Sequence, residues 1–246
     1  MQTHCDLTQL HNIYQDDAIV AIHKPAGLLV HPSAIDRHET QFAVNLTEDL
    51  IQQRVYPVHR LDKATSGILL FALSSAYARH LSEQFLSHQI QKNYLAICRG
   101  WIADSGVIDH ALKYKIDPIA EPNKKPKPPQ MAITHYQCMA TCEVDHAIGR
   151  YPSQRYSLVK LRPKTGRKHQ LRRHLNHINH PIIGDVQYGD RHHNHFFNEL
   201  HSYHRLYLAA TALNFTHPET QHPIELTSPL ETSFQNTLNA LDWQPK

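Results

Sequence analysis

The chain has no run approaching the roughly 20 apolar residues that a membrane-spanning helix needs, so no such span is expected. Its N-terminus, Met1-Gln2-Thr3-His4-Cys5-Asp6, has no basic start followed by an apolar stretch, and a secretory leader is not expected either. Cysteine is scarce, with four residues in 246. Cys138 and Cys142 stand four apart, which is not the Cys-x-x-Cys spacing of zinc ribbons and redox sites. Reduced thiols in a cytoplasmic protein are the expectation. There is no internal repeat and no coiled-coil heptad. Acid is absent from one long stretch: Lys160 to His174 holds seven Lys or Arg and two His without an Asp or Glu.

What is present is ordinary in bulk and informative in places. The composition, 41% hydrophobic and 19% charged with a formal charge of +3, is that of a globular chain. The net charge is too small to name a partner, but the acid-free stretch suits a polyanion such as RNA. Leu161 and Leu171 within it and Leu175 at its end tie it to a core rather than to a loose tail.

Apolar patterning predicts a first strand over 17–23, ended by the turn Lys24-Pro25-Ala26-Gly27. A strand is expected at Ile68–Ala72. Ser74 or Ser75 then caps a helix running to about His88, with Ala78, Leu81 and Phe85 on one face. Further strands are expected at 92–98, 133–139 and 157–161, a basic helix over 168–178, and short strands within 206–213 and 224–226. Residues 117–130 carry five prolines and three lysines and read as a mobile excursion. Strands and helices do not alternate regularly. The expectation is an α+β fold, a central mixed and largely antiparallel sheet flanked by helices, in one domain over 1–246.

Three segments carry candidate chemistry. In Val58-His59-Arg60-Leu61-Asp62-Lys63-Ala64-Thr65-Ser66-Gly67 one carboxylate stands among cations on a loop that leads into an apolar strand. Asp62 is either a reacting group at the edge of an anion-binding site or a turn residue paired with Arg60 or Lys63. No second carboxylate stands near it in sequence, which argues against a two-carboxylate glycosidase. In the basic stretch, the Thr165-Gly166 turn and the following helix start offer backbone N–H groups, and Arg167 and Arg172 offer guanidinium forks, to phosphate or carboxylate. Tyr94, on the strand after the first helix, is either a core aromatic or a stacking surface for a base. The histidines at 192, 193, 195, 201 and 204 raise a metal reading, but no acid or cysteine completes a site, and a solvated loop is expected there.

In this order the three segments resemble the RluA-type family of pseudouridine synthases. Lys24-Pro25-Ala26-Gly27, His59-Arg60-Leu61-Asp62 with Thr65-Ser66-Gly67, Lys92-Asn93-Tyr94 with Arg99-Gly100, and Thr165–Arg172 with Pro181–Asp185 and Tyr188-Gly189 match its motifs across most of residues 13–230. The resemblance implies the pseudouridine synthase fold, an isomerisation of uridine in RNA, and no cofactor or metal. It implies Asp62 as catalytic nucleophile or base, Arg172 as its salt-bridge partner, and Tyr94 as the residue that stacks on the target uracil. It implies Arg60 as the side chain replacing a flipped base, with Lys164, Arg167, Lys168 and Arg173 as RNA-binding candidates. A finer likeness, carried by Gln84–Lys92, Gly149–Pro152 and Lys164–His174, is to members that modify uridine 65 of tRNA. A synthase acting on ribosomal RNA and a non-catalytic RNA-binding protein are the alternatives. No room is expected before the first strand for a separate RNA-binding module, so the catalytic domain itself must grip its tRNA, without an obligate protein partner.

Overall fold

The computed structural model describes residues 5–32, 38–114, 125 and 127–243. In chain order the elements are β1 (His11–Gln15), β2 (Ile19–Lys24), α1 (Ala43–Ile51), β3 (Tyr56–Pro57), β4 (Ser66–Ala72) and α2 (Ser75–Leu86). There follow β5 (Gln91–Arg99), β6 (Ser105–Asp109), β7 (Ile133–Val144), β8 (Gln154–Pro163), α3 (Gln170–His177), α4 (Arg191–His201), β9 (Leu208–Thr216), β10 (Pro223–Thr227) and α5 (Thr232–Ala240). The strands form one sheet in the order β1-β2-β4-β9-β5-β8-β7-β6, with β10 on β9 and β3 on β4. Every named pairing is antiparallel except β4 with β9. The expected α+β fold with a mixed, largely antiparallel sheet is what forms.

Successive side chains of a strand point to opposite faces, and β5 shows how this builds two cores. Leu95 and Ile97 pack with Phe196 and Phe197 of α4 and Phe234 and Leu238 of α5. Ala96 and Cys98 pack on the other face with Leu171 and Leu175 of α3. Tyr94 is in phase with Ala96, so it sits on the α3 face. A third core lies under β2 and β4, with Leu81 of α2 and Ala43 of α1.

The predicted helix after β4 forms as expected. The Ser74 hydroxyl accepts the Tyr77 N–H at 3.2 Å, a side-chain cap. The basic helix is shorter than expected: Lys168 and His169 belong to the loop before α3, and Ile178 is its C-cap. The stretch expected as a histidine-rich loop is helix α4. Asp190 caps it by accepting the His192 N–H at 2.9 Å, His193 turns inward to the Tyr156 hydroxyl at 3.0 Å, and His195 pairs with Glu199 at 3.1 Å. The excursion at 117–130 lies mostly outside the described residues. No helix among the described residues is long and apolar enough to cross a membrane.

One constraint fixes where the chain enters β4. The parallel contact with β9 is limited to Ser66 against Ala209 and Gly67 against Ala210. Gly67 has φ +108°, and a Cβ there would fall on the Ala210 carbonyl. Only glycine lets the two backbones approach this closely.

His59 extends the same region. The short β3 covers β4 only at Phe71 and Ala72, and the next free N–H, that of Leu70, donates to His59 Nε2 at 2.9 Å. The imidazole thus continues the work of the missing strand, and its ring stacks on Phe85 of α2 at 4.8 Å. Burial, reinforced by the charge of Lys92, pushes the His59 pKa down to about 3. The ring is therefore neutral, with Nε2 as acceptor and its proton on Nδ1.

Two outcomes are expected from this geometry. Gly67→Ala lowers unfolding free energy by about 2 kcal/mol or more, since it combines a disfavoured φ with a backbone clash; denaturant unfolding measures it. His59 adds no pH dependence to stability above its ordinary value of 6.5, where neither state is protonated. Between 6.5 and about 3 the unfolded chain binds a proton that the folded chain refuses, so stability falls as pH falls. His59→Gln keeps an acceptor for the Leu70 N–H and removes that titration, so the acid-side slope becomes shallower. An unchanged slope would refute the neutral-acceptor assignment.

Candidate active site

The loop that carries Asp62 is clamped from behind. Lys24 is fully buried, and its Nζ donates to the carbonyls of Pro25 at 2.8 Å, Leu28 at 2.8 Å and Lys63 at 3.2 Å. Burial lowers the Lys24 pKa to about 7, which the charge of Glu231 partly opposes. The Gly27 N–H donates to the same Lys63 carbonyl at 2.8 Å, and Thr65 N–H to the Asp62 carbonyl at 3.0 Å. Thus the Lys-Pro-Ala-Gly turn grips the chain one residue beyond Asp62. A second clamp comes from the C-terminal region. Buried Arg205 pairs with Glu231 and donates to Ser66 Oγ at 2.9 Å, while Glu231 accepts the Ala26 N–H at 3.0 Å.

The turn-residue reading of Asp62 does not fit the geometry. Lys63 pairs with Glu39 at 2.8 Å, and Arg60 is exposed at the rim. Asp62 instead faces Arg172, whose Nη1 lies 3.5 Å from Oδ2, and His169, whose Nε2 lies 3.9 Å from Oδ1. Arg172 has a stronger partner that its sequence position does not reveal. It donates to both oxygens of Asp185, Nε to Oδ2 at 2.7 Å and Nη2 to Oδ1 at 2.8 Å. Asp185 Oδ1 also accepts the N–H groups of Gln187 at 2.9 Å and Tyr188 at 3.0 Å. Burial opposes charge on both partners, and their mutual hydrogen bonds outweigh it: the Arg172 pKa is held up and that of Asp185 down. The Tyr188 ring covers the guanidinium at 5.2 Å.

These groups line one cleft of about 990 Å³, at the upper end of the range of small-ligand pockets. Tyr94 lies on its floor with Leu208, and Phe85 and Lys92 stand on its wall. Burial, then the Asp62 charge, drives the Tyr94 phenol well above its ordinary pKa. It therefore offers a ring face and an O–H, not a phenolate. Burial lowers the Lys92 pKa, and no carboxylate among the described residues lies within ion-pair distance of it.

Of the basic candidates, Arg60, Arg167 and Lys168 line the cleft, whereas Lys164 and Arg173 do not. Arg167 Nε is tied to the Met131 carbonyl at 3.2 Å, and Arg173 Nη2 to the Lys113 carbonyl at 3.0 Å. Sequence reasoning missed the roles of His59, Lys92, His169 and Asp185. The only signal for Asp185 was its place as the first acid after the acid-free basic stretch, and nothing along the chain tied it to Arg172. Among the described residues no group of three or more His, Cys, Asp or Glu is placed to hold a metal ion.

A family model described as RNA pseudouridylate synthase matches residues 18–177. The tRNA pseudouridine synthase C of Haemophilus ducreyi is 50% identical over 235 residues, covering 96% of this chain and 97% of that protein. The protein of the same name from Pasteurella multocida is 49% identical over 235 residues, covering 95% and 97%. Among solved structures, Human RNA Pseudouridylate Synthase Domain Containing 4 has a TM-score of 0.70 at 26% identity, over 96% of this chain and 94% of that one. With sequence and fold agreeing over almost its whole length, this chain belongs to the RNA pseudouridylate synthase family and is an isomerase.

Proposed function

We propose that the chain isomerises uridine 65 of tRNA to pseudouridine, with Asp62 as the group that acts on the ribose. The carrying observation is the meeting of Asp62, Arg172 and Tyr94, drawn from three distant segments, in one cleft with a cationic rim. Relatives named for tRNA support the substrate class. The motif likeness to members acting at position 65 supports the position.

The reaction breaks the uracil N1–C1′ bond, turns the base, and joins C5 to C1′. N1 ends with a proton and C5 loses one, so nothing is consumed and no redox step is needed. Asp62 acts as nucleophile at C1′ or as base at the sugar, aimed by Arg172 on one oxygen. Tyr94 stacks on the uracil while it is detached, a contact worth about 1–3 kcal/mol. Its raised pKa keeps the phenol protonated, with an O–H available to assist proton transfer at C5. The target base leaves its stack to reach Asp62, at a cost of a few kcal/mol. Arg60, exposed at the rim, fills the vacated place in the RNA. Arg167 and Lys168 take phosphates beside the cleft, while Lys164 and Arg173 serve phosphates farther from it.

Asp62→Asn abolishes pseudouridine formation on unmodified tRNA and leaves tRNA binding nearly intact. Full activity in this variant refutes the role. Mapping of pseudouridine in tRNA and ribosomal RNA, with and without the active gene, tests the substrate. Loss at tRNA position 65 is the expected result, and loss from ribosomal RNA alone would replace tRNA as the target.

A further inference from the structure

His169 has a conformation that nothing in its own helix explains. It is the residue before α3, in the left-handed region at φ 54°, and its side chain makes no cap hydrogen bond. Left-handed backbone at a non-glycine residue costs about 1–2 kcal/mol, and a residue that relieved it or capped the helix would be Asn, Asp or Ser. The ring is used elsewhere. Nδ1 lies 3.1 Å from the Tyr188 hydroxyl, and Nε2 lies 3.9 Å from Asp62 Oδ1.

The loop is built to keep the ring there. All four hydrogen-bonding positions of the Gln170 amide are filled. Oε1 accepts from Thr165 Oγ1 at 2.7 Å and the Arg167 N–H at 3.0 Å, while Nε2 donates to the Ile133 carbonyl and Thr134 Oγ1, both at 3.0 Å. This lock, one residue beyond His169, sustains the strained backbone.

Resting on the reading that Asp62 is the reacting carboxylate, we propose that His169 is a positioning residue for it: a neutral imidazole whose tautomer is set by the Tyr188 hydroxyl and whose Nε2–H holds Asp62 Oδ1. The chemistry of the two nitrogens supports this direction. If Nδ1 accepts the Tyr188 proton, Nε2 carries a hydrogen aimed at the carboxylate. The reverse tautomer sets a lone pair against a carboxylate oxygen, which is repulsive. The other charged groups facing the ring are Arg172, Lys168 and Asp185; burial, opposed by Asp62, holds the His169 pKa below its ordinary value. At 3.9 Å the contact is longer than a hydrogen bond, and such contacts tighten when substrate fills a site. Asp62 is then fixed at both oxygens, by Arg172 on Oδ2 and by His169 on Oδ1.

Three measurements on the full chain test this. Nitrogen-15 NMR of the imidazoles, with His169 assigned by its loss in His169→Asn, shows the proton of neutral His169 on Nε2. In Tyr188→Phe, which keeps the ring over Arg172, the tautomer becomes mixed. His169→Asn, a residue that tolerates left-handed backbone, and Tyr188→Phe each lower kcat about tenfold, with KM for unmodified tRNA changed less than about twofold. The double variant is no slower than His169→Asn, because both act through one contact. A proton on Nδ1 overturns the proposal, and so do multiplying losses or an unchanged kcat. If Asp62→Asn is inactive while the His169 and Tyr188 variants match the unaltered enzyme, only the role of His169 falls. Activity in Asp62→Asn removes the underlying reading itself.

Discussion

The site depends on one guanidinium shared unequally between two carboxylates. Asp185 is fully enclosed, and a carboxylate there is tolerable only because Arg172 meets both of its oxygens and two backbone N–H groups complete its shell. That grip sets the direction of the guanidinium, and Nη1 is what remains to face Asp62. The long Arg172–Asp62 contact is thus a consequence of a short Arg172–Asp185 one. A lysine could not substitute, because a single ammonium lacks the planar fork that serves both carboxylates at once. The same acid organises the chain around it: the Asp185 carbonyl accepts from Gly189 N–H and from Asn194 Nδ2, both at 3.0 Å. Helix α3, the segment after it and the start of α4 are therefore one unit with the loop that carries Asp62.

A second pair of buried cations answers a different need. A loop that must place a carboxylate at a cleft edge has few core contacts of its own. Lys24 and Arg205 supply them by polar means, through three carbonyls in one case and through Glu231, Ser66 and Ser233 in the other. Leaving either charge without its partners inside the protein would cost several kcal/mol. The loop position is consequently fixed by the most expensive contacts in the region. The sheet provides the anchor, since the β4–β9 parallel contact begins where the loop ends.

Much of this was legible in the chain. An unbroken apolar run announced β4, alternation announced β5, and Ser74 announced α2. The elements that escaped lack local signals for physical reasons. Helix α1 begins at Phe42 without a side-chain cap. Helix α5 begins at Glu231, whose carboxylate is occupied by Arg205 and Ala26 rather than by its own helix. Helix α4 was hidden by its histidines, although Phe196 and Phe197 are the residues that bury it. In the site, residue types and order singled out Asp62, Tyr94 and Arg172, which the fold brings to one cleft. The roles of Asp185, His169 and His59 arise from tertiary contacts, and no spacing along the chain encodes them.

The charge pattern also explains how one site handles a polyanion around a carboxylate. Cations at the rim, Arg60, Arg167 and Lys168, attract phosphate over a distance of about a Debye length. The centre repels it, because Asp62 stands there. Histidines lining the cleft would weaken that contrast if they were charged. Burial keeps the pKa values of His59 and His169 below their ordinary value, so neither adds positive charge to the centre at neutral pH. On the function proposed above, a nucleotide entering this field is sorted by its parts: its phosphates stay at the rim, its ribose is carried toward Asp62, and its base meets Tyr94 and Leu208. On that reading, the lowered pKa values of His59 and His169 help decide which atoms of the substrate arrive at Asp62.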